Sequence, residues 1–174
     1  STVNARRAKW WVYDDVDQET RSAIGYQINS TDTLVNPVRI VKKDRAGRVV
    51  DQIAATRANT SGALTASDSF SQGNWVRWTS TSYDDQGRRL WSRLYHNIPA
   101  SGTGSSGTNY GETSFEYNSS GRRIQTKAPG GTITRKVFQA RGWLLEEWVG
   151  TDDTGATASD PSNGGAGGNN MKQT

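Results

Sequence analysis

His96 is the only histidine in the 174 residues, and there is no cysteine. A Ser-His-Asp site would have to use His96, and no serine sits on a nucleophile-elbow pattern. Without cysteine no disulfide, thiolate metal site or thiol nucleophile can form. What is left for chemistry is carboxylate, clustered at Asp14/Asp15/Asp17, Asp84/Asp85, Glu146/Glu147 and Asp152/Asp153. A glycosidase needs two carboxyl groups facing each other across about 5–10 Å. Neighbours on a strand point to opposite faces, so Glu146/Glu147 is a poor dyad within itself. A pair drawn from two different clusters stays open at this level. Oxygen ligands at Asp14, Asp15 and Asp17 would suit calcium, but the EF-hand spacing is missing. The plainer reading there is an acidic turn, and of His96 a surface or packing residue. The expectation is no enzyme and no cofactor, with a metal at the three aspartates left open.

The elements that would position any site are written in a repeat. Tyr83-Asp84-Asp85-Gln86-Gly87-Arg88-Arg89-Leu90 recurs as Tyr117-Asn118-Ser119-Ser120-Gly121-Arg122-Arg123-Ile124. Phe138-Gln139-Ala140-Arg141-Gly142-Trp143-Leu144-Leu145 is a third copy, and Lys43-Asp44-Arg45-Ala46-Gly47-Arg48-Val49-Val50 a fourth. Each has a turn glycine, a polar Asp, Asn or Gln three before it, and an apolar residue three after it. Glycine supplies the positive φ that a tight hairpin loop requires. Asp or Asn can bond the turn backbone through its side chain. These features predict β-hairpins turning at Gly47, Gly87, Gly121 and Gly142, with Tyr83, Tyr117 and Phe138 as repeat aromatics.

After each glycine, apolar residues return four apart: Val50/Ala54, Leu90/Leu94, Ile124/Ala128 and Leu145/Val149. On a strand that is one face, and it is the apolar face the sequence suggests. A helix would tolerate the spacing too, but the turns and β-formers favour strand. The intervals between the glycines are 40, 34 and 21 residues. A unit of about 20 residues predicts a missing copy between Gly47 and Gly87, with Ser71-Gln72-Gly73-Asn74 as its turn. It also predicts an insertion at residues 99–111, a Gly/Ser loop without periodicity that should tolerate substitution at Gly104. Residues 1–36 read as a degenerate repeat or strand pair, in which Trp10–Asp14 starts like a repeat but lacks a turn glycine. Asn36-Pro37 reads as a turn. Residues 37–150 hold the repeats, and 151–174 a Gly-rich inter-repeat loop or tail.

These units resemble the YD repeats of the RHS (rearrangement hotspot) family, whose signature is Tyr-Asp near Gly-Arg. Tyr83, Asp84, Gly87 and Arg88 match it fully. Tyr117, Gly121 and Arg122 match with Asn118 for Asp; Asp44, Gly47 and Arg48 match without the aromatic; Phe138 and Gly142 match with Trp143 for Arg. The tail looks like the insertions of large bacterial RHS-like proteins, planctomycete ones especially, and would lead to a further strand near Met171 that this chain is expected to lack. The resemblance implies an all-β fold: antiparallel hairpins in a curved, twisted strip, part of a shell that often encloses a toxin or other domain. It implies a structural segment of a large secreted or cell-surface protein. The family's self-cleavage segment is not matched, since Asp160-Pro161 is followed by Ser162-Asn163.

The partners expected are neighbouring repeats of the same chain or self-assembly through sheet edges, with glycans or an enclosed domain beyond those. The start STVNARRAKWW has no signal-peptide core and reads as cut from something longer. No apolar run approaches the roughly 18 residues of a membrane span. Net charge is only +4, with basic and acidic residues interspersed rather than gathered in a stripe, which argues against nucleic acid. An alternative function uses Trp75, Trp78, Trp91 and Tyr95 as an exposed glycan platform on two adjacent strands. The competing reading of those aromatics is cross-strand packing.

Overall fold

The computed structural model describes residues 5–174, so Ser1–Asn4 lie outside it. The fold is all-β: eleven antiparallel strands in one sheet, in chain order from β1 to β11. The strands are β1 (Ala5–Asp14), β2 (Glu19–Ile28), β3 (Thr31–Lys43), β4 (Val49–Ala55), β5 (Trp75–Tyr83) and β6 (Arg89–Tyr95). They continue with β7 (Tyr110–Tyr117), β8 (Arg123–Lys127), β9 (Ile133–Phe138), β10 (Leu144–Gly150) and β11 (Lys172–Gln173). By contact the chain forms two compact units, Ser1–Thr81 with Arg93–Tyr110, and Ser82–Ser92 with Gly111–Thr174.

The four glycine turns follow odd-numbered strands β3, β5, β7 and β9. The long connections follow even-numbered ones: residues 56–74 after β4, 96–109 after β6 and 151–171 after β10. A unit is therefore one hairpin plus a connection of variable length. The 40-residue interval contains no missing copy, because β4 pairs directly with β5. Residues 72–74 form a short 3-10 turn instead of a hairpin loop. In the 21-residue interval the connection shrinks to a turn over Ala128–Thr132, with Gly131 at φ +85°.

Register explains which side chains are buried. Lys43 pairs with Val49 but Lys42 with Asp51, so Val50 is an extra residue. Ile124 and Leu145 are extra in the same way, in β8 and β10. The recurring apolar residue three past the turn glycine is thus a β-bulge in these three hairpins. A bulge restarts the in/out alternation. The fully buried residues then lie an even number past the glycine: Ile53 and Ala55 after Gly47, Tyr95 after Gly87 and Gln125 after Gly121. Ile53 and Ala55 are buried, whereas Leu90, Leu94 and Leu145 are 40%, 60% and 58% exposed. The apolar face read from the sequence is the outer face.

In the first unit the core gathers Ala23, Leu34, Val38, Ile40, Ile53, Ala55, Trp78, Tyr95 and Tyr110, with Leu64 from the 56–74 connection. Trp10 and Val12 close it from β1. Gly25, on β2, lets the Trp10 ring lie against the strand: a β-carbon there would collide with that ring and with the Thr33 carbonyl oxygen. Asn36-Pro37 is not a turn. It is a cis peptide inside β3, at an irregularity where Ser22 pairs with Arg39 and Ile24 with Val35. The irregularity absorbs the proline, which cannot donate to the ladder. The domain boundary expected at residue 36 therefore falls inside a strand. The Asn36 amide makes the missing bonds outside the sheet, donating to the Arg57 carbonyl and accepting from its N–H, both at 2.9 Å.

The connections are built rather than slack. The Arg57 guanidinium donates to the carbonyls of Ser61, Gly62 and Ala63 and pairs with Asp68 at 3.0 Å. In the 96–109 loop Asn109 accepts from Ser105 N–H and donates to the Asn97 carbonyl, while Tyr95 Oη donates to Thr103 O at 3.1 Å. A β-carbon on Gly104 would run into Asn109, whereas one on Gly121 meets only an Arg88 nitrogen at 3.5 Å. Gly104 is therefore not the tolerant position its loop composition suggests. In the second unit the core is Ile133, Val137 and Met171 with the polar side chains Gln125 and Arg135. The 151–170 segment is tied to the strands of this unit through Asp153, and within it the Asn169 amide donates to the carbonyl of the buried Pro161 at 2.9 Å. The further strand near Met171, expected to be absent from this chain, is present in short form as β11, paired to Trp148 and Val149.

Candidate functional site

The repeated turn holds Asp44 and the Asp84/Asp85 cluster. In the Gly47 turn the backbone makes two bonds, Asp44 N–H to Arg48 O and Gly47 N–H to Asp44 O, both 2.9 Å. The same pair of bonds closes the turns at Gly87, Gly121, Gly131 and Gly142. The four repeat glycines have φ between +78° and +94°, where other residues are strained. The Asp44 carboxylate accepts from the Ala46 and Arg48 N–H groups at 2.9 Å each, and from Arg48 Nε at 2.6 Å. Asp84 repeats all three, from Gln86 N–H at 3.0 Å, Arg88 N–H at 2.8 Å and Arg88 Nε at 2.7 Å. Asn118 keeps the two backbone bonds, from Ser120 at 3.1 Å and Arg122 at 2.9 Å. Desolvation would raise the Asp44 and Asp84 carboxyls. The N–H and guanidinium of Arg48 and Arg88 outweigh it and hold both below the ordinary carboxylate range.

The arginine also reaches forward. Arg88 lies 4.7 Å over the Tyr117 ring of the next hairpin, and Tyr117 Oη donates to the Arg89 carbonyl at 2.9 Å. Arg122 lies against Gly142, where a β-carbon would meet its guanidinium. Each part of the motif then has a physical task in this unit. The Asx side chain caps its own turn. Glycine takes the positive φ and leaves room for the preceding arginine. The arginine pairs with its own turn and covers the next aromatic.

The aromatics named for a glycan platform lie elsewhere. Trp78 and Tyr95 are each 6% exposed and stack face to face at 3.7 Å. Trp78 Nε1 donates to Asp51 at 2.7 Å. Trp75 meets Trp78 edge-on at 5.0 Å, and Tyr110 leans on Tyr95 at 5.1 Å. Trp75 and Trp91 are half-buried. The Trp78/Tyr95 pair is core, with Trp78 opposite the buried Ile53 of β4, and it offers no open face to a sugar. Burial pushes the Tyr95 hydroxyl pKa up.

The acidic clusters have structural partners. Asp14 Oδ1 accepts the Val16 and Asp17 N–H groups at 3.1 Å, capping a loop in which Gln18 takes φ +51° in place of glycine. Trp148 Nε1 donates to Glu146 at 2.8 Å, and Glu147 meets Lys136 at 3.3 Å. The Thr154 hydroxyl and N–H bond Asp152 and lower its carboxyl pKa. Asp153 enters the second core. It accepts from Gln125 Nε2 at 2.5 Å and pairs with Arg135 at 3.2 Å, while Arg135 also meets Glu116 at 3.0 Å. A guanidinium 6% exposed is tolerable only with such partners. No group of three or more His, Cys, Asp or Glu among the described residues is placed to hold a metal. His96 is exposed, with its backbone N–H on Asn109 O at 3.0 Å. No helix among the described residues is long and apolar enough to cross a membrane.

Sequence reasoning missed the turn at Gly131, the Gly25–Trp10 contact and the Arg135 network. Pro129-Gly130-Gly131 carries a turn signal that could have disclosed the first. The other two have no local signature. Comparison with protein-family models and with curated proteins finds no match to this chain.

Proposed function

We propose that this chain is a non-catalytic scaffold segment of the YD/RHS type, part of a larger secreted or cell-surface protein, in which hairpins are added edge to edge. The observation that carries the reading is the turn itself. Backbone bonds, cap and forward arginine follow one plan, in which Asp44 and Asp84 serve as caps, while Asp153 and Glu116 pair with the buried Arg135. Strand β1 presents ten residues along a sheet edge, and a bare edge of that length favours further pairing. The outer-face leucines and Trp143 support the same reading, as surface a neighbouring element would cover.

The experiment is the mass and location of the native polypeptide in its source cells. Peptide mapping should find a chain well above 19.0 kDa, with peptides continuing past both ends. Protease applied to intact cells should remove it. A species of 19.0 kDa retained inside the cell and resistant to that treatment would refute the proposal.

A further inference from the structure

We propose that the β1 edge with Tyr13 and the β9–β10 turn with Trp143 are two halves of one joint, filled head to tail by a second copy of this chain. The inference rests on the scaffold reading in one respect: hairpins continue across the joint as they do within the second unit. There, the residue after the turn glycine covers the aromatic of the next hairpin, as Arg88 covers Tyr117. In the β9–β10 turn that forward position is Trp143, which is 69% exposed. In the β1–β2 hairpin the aromatic of the Tyr-Asp pair is Tyr13, which is 70% exposed. One end presents a forward residue with its face open, and the other an aromatic with its face open.

The surroundings agree in polarity and charge. Leu144, 49% exposed, and Leu145 flank Trp143; Trp11, 51% exposed, flanks Tyr13. Strand β1 carries Arg6, Arg7 and Lys9, and β10 carries Glu146 and Glu147. Glu147 keeps 39% of its side chain exposed beside Lys136. With Tyr13 of an incoming copy on Trp143, antiparallel pairing sets its Lys9 opposite Glu147, with Arg7 two residues further along the same face opposite Val149. An offset aromatic pair then stands where Arg88 and Tyr117 stand within the chain. Strand β11 pairs with β10 through two residues, with Thr174 N–H also on Glu147 O at 3.0 Å, and the incoming β1 displaces these contacts. The two surfaces differ, so the contact is heterologous, and each copy keeps one open half of each kind.

Sedimentation of the full chain from micromolar to near-millimolar concentration tests this. The weight-average mass should rise to at least twice 19.0 kDa. Tyr13→Asp and Trp143→Asp change exposed positions, and circular dichroism should find both folded. Each alone should stay monomeric. Mixed in equal amounts they should form dimers and nothing larger, since the mixture holds one intact joint per pair. A parent chain monomeric throughout would overturn the joint while leaving the scaffold reading to the mass of the native polypeptide. Two variants that stay monomeric on mixing would overturn it as well. So would loss of association in Tyr13→Asp alone, because that is the result of symmetric β1–β1 pairing.

Discussion

Asn118 separates the side-chain cap from the rest of the turn. Its Oδ1 accepts the N–H groups of Ser120 at 3.1 Å and Arg122 at 2.9 Å. The two backbone bonds of the turn, Asn118 N–H to Arg122 O and Gly121 N–H to Asn118 O, do not use the side chain. Asn118→Ala therefore removes two bonds and leaves two. A hydrogen bond contributes about 0.5–1.5 kcal/mol net. Ser120 is exposed and water can serve its N–H, while Arg122 is half-buried. A loss of about 1–2 kcal/mol follows from those per-bond values. For a chain of this size 1 kcal/mol moves the melting temperature by about 2–4 °C, so Ala should lower it by about 2–8 °C. Asn118→Asp keeps both acceptors and faces Arg122 as Asp84 faces Arg88. It should melt within about 2 °C of the parent, since an exposed ion pair contributes little. Thermal melts followed by tryptophan fluorescence, with amide exchange at Gly121 and Arg122, read both variants. If Asp costs as much as Ala, the cap is not what holds the turn.

Acid should divide the turns by their caps. A lowered carboxyl pKa stabilises the fold above the unfolded value of about 3.9, and that contribution disappears as pH falls through the lowered value. Amide protection at Gly47 and Gly87 should therefore fall below about pH 4, while Gly121, under a neutral Asn cap, keeps its protection. A simultaneous loss at all three would refute the assignment. Gly25→Ala should destabilise by about 1–3 kcal/mol or more, the range for overpacked sites, because the new methyl meets the Thr33 backbone as well as the flexible Trp10 ring. A urea midpoint equal to that of the parent would show that β2 and β3 can part without cost.

The hairpins were legible because their cause is local. A turn glycine, an Asx three before it and β-formers on either side act within about eight residues, and the turns at Gly47, Gly87, Gly121 and Gly142 form where that pattern stands. The Gly131 turn was overlooked because it lacks the side-chain cap, although its backbone bonds are the same. The connections were legible in composition but not in conformation. Nothing local says that Asn109 crosses its own loop, or that Arg57 gathers three carbonyls.

The sequence alone determined an all-β chain of hairpins and the places where most of them turn, since those follow from φ preference and short-range hydrogen bonding. The tertiary structure decided which face is core. One bulged residue at Val50, Ile124 and Leu145 shifts the alternation within its own hairpin, and the pattern of residue types does not disclose it. Strand pairing set Trp78 opposite the buried Ile53, where it stacks on Tyr95 as a core pair. It also brought Arg135 of β9 beside Glu116 and Asp153, 19 and 18 residues away along the chain. Those partners are fixed by strand order and register, and no residue carries that information by itself.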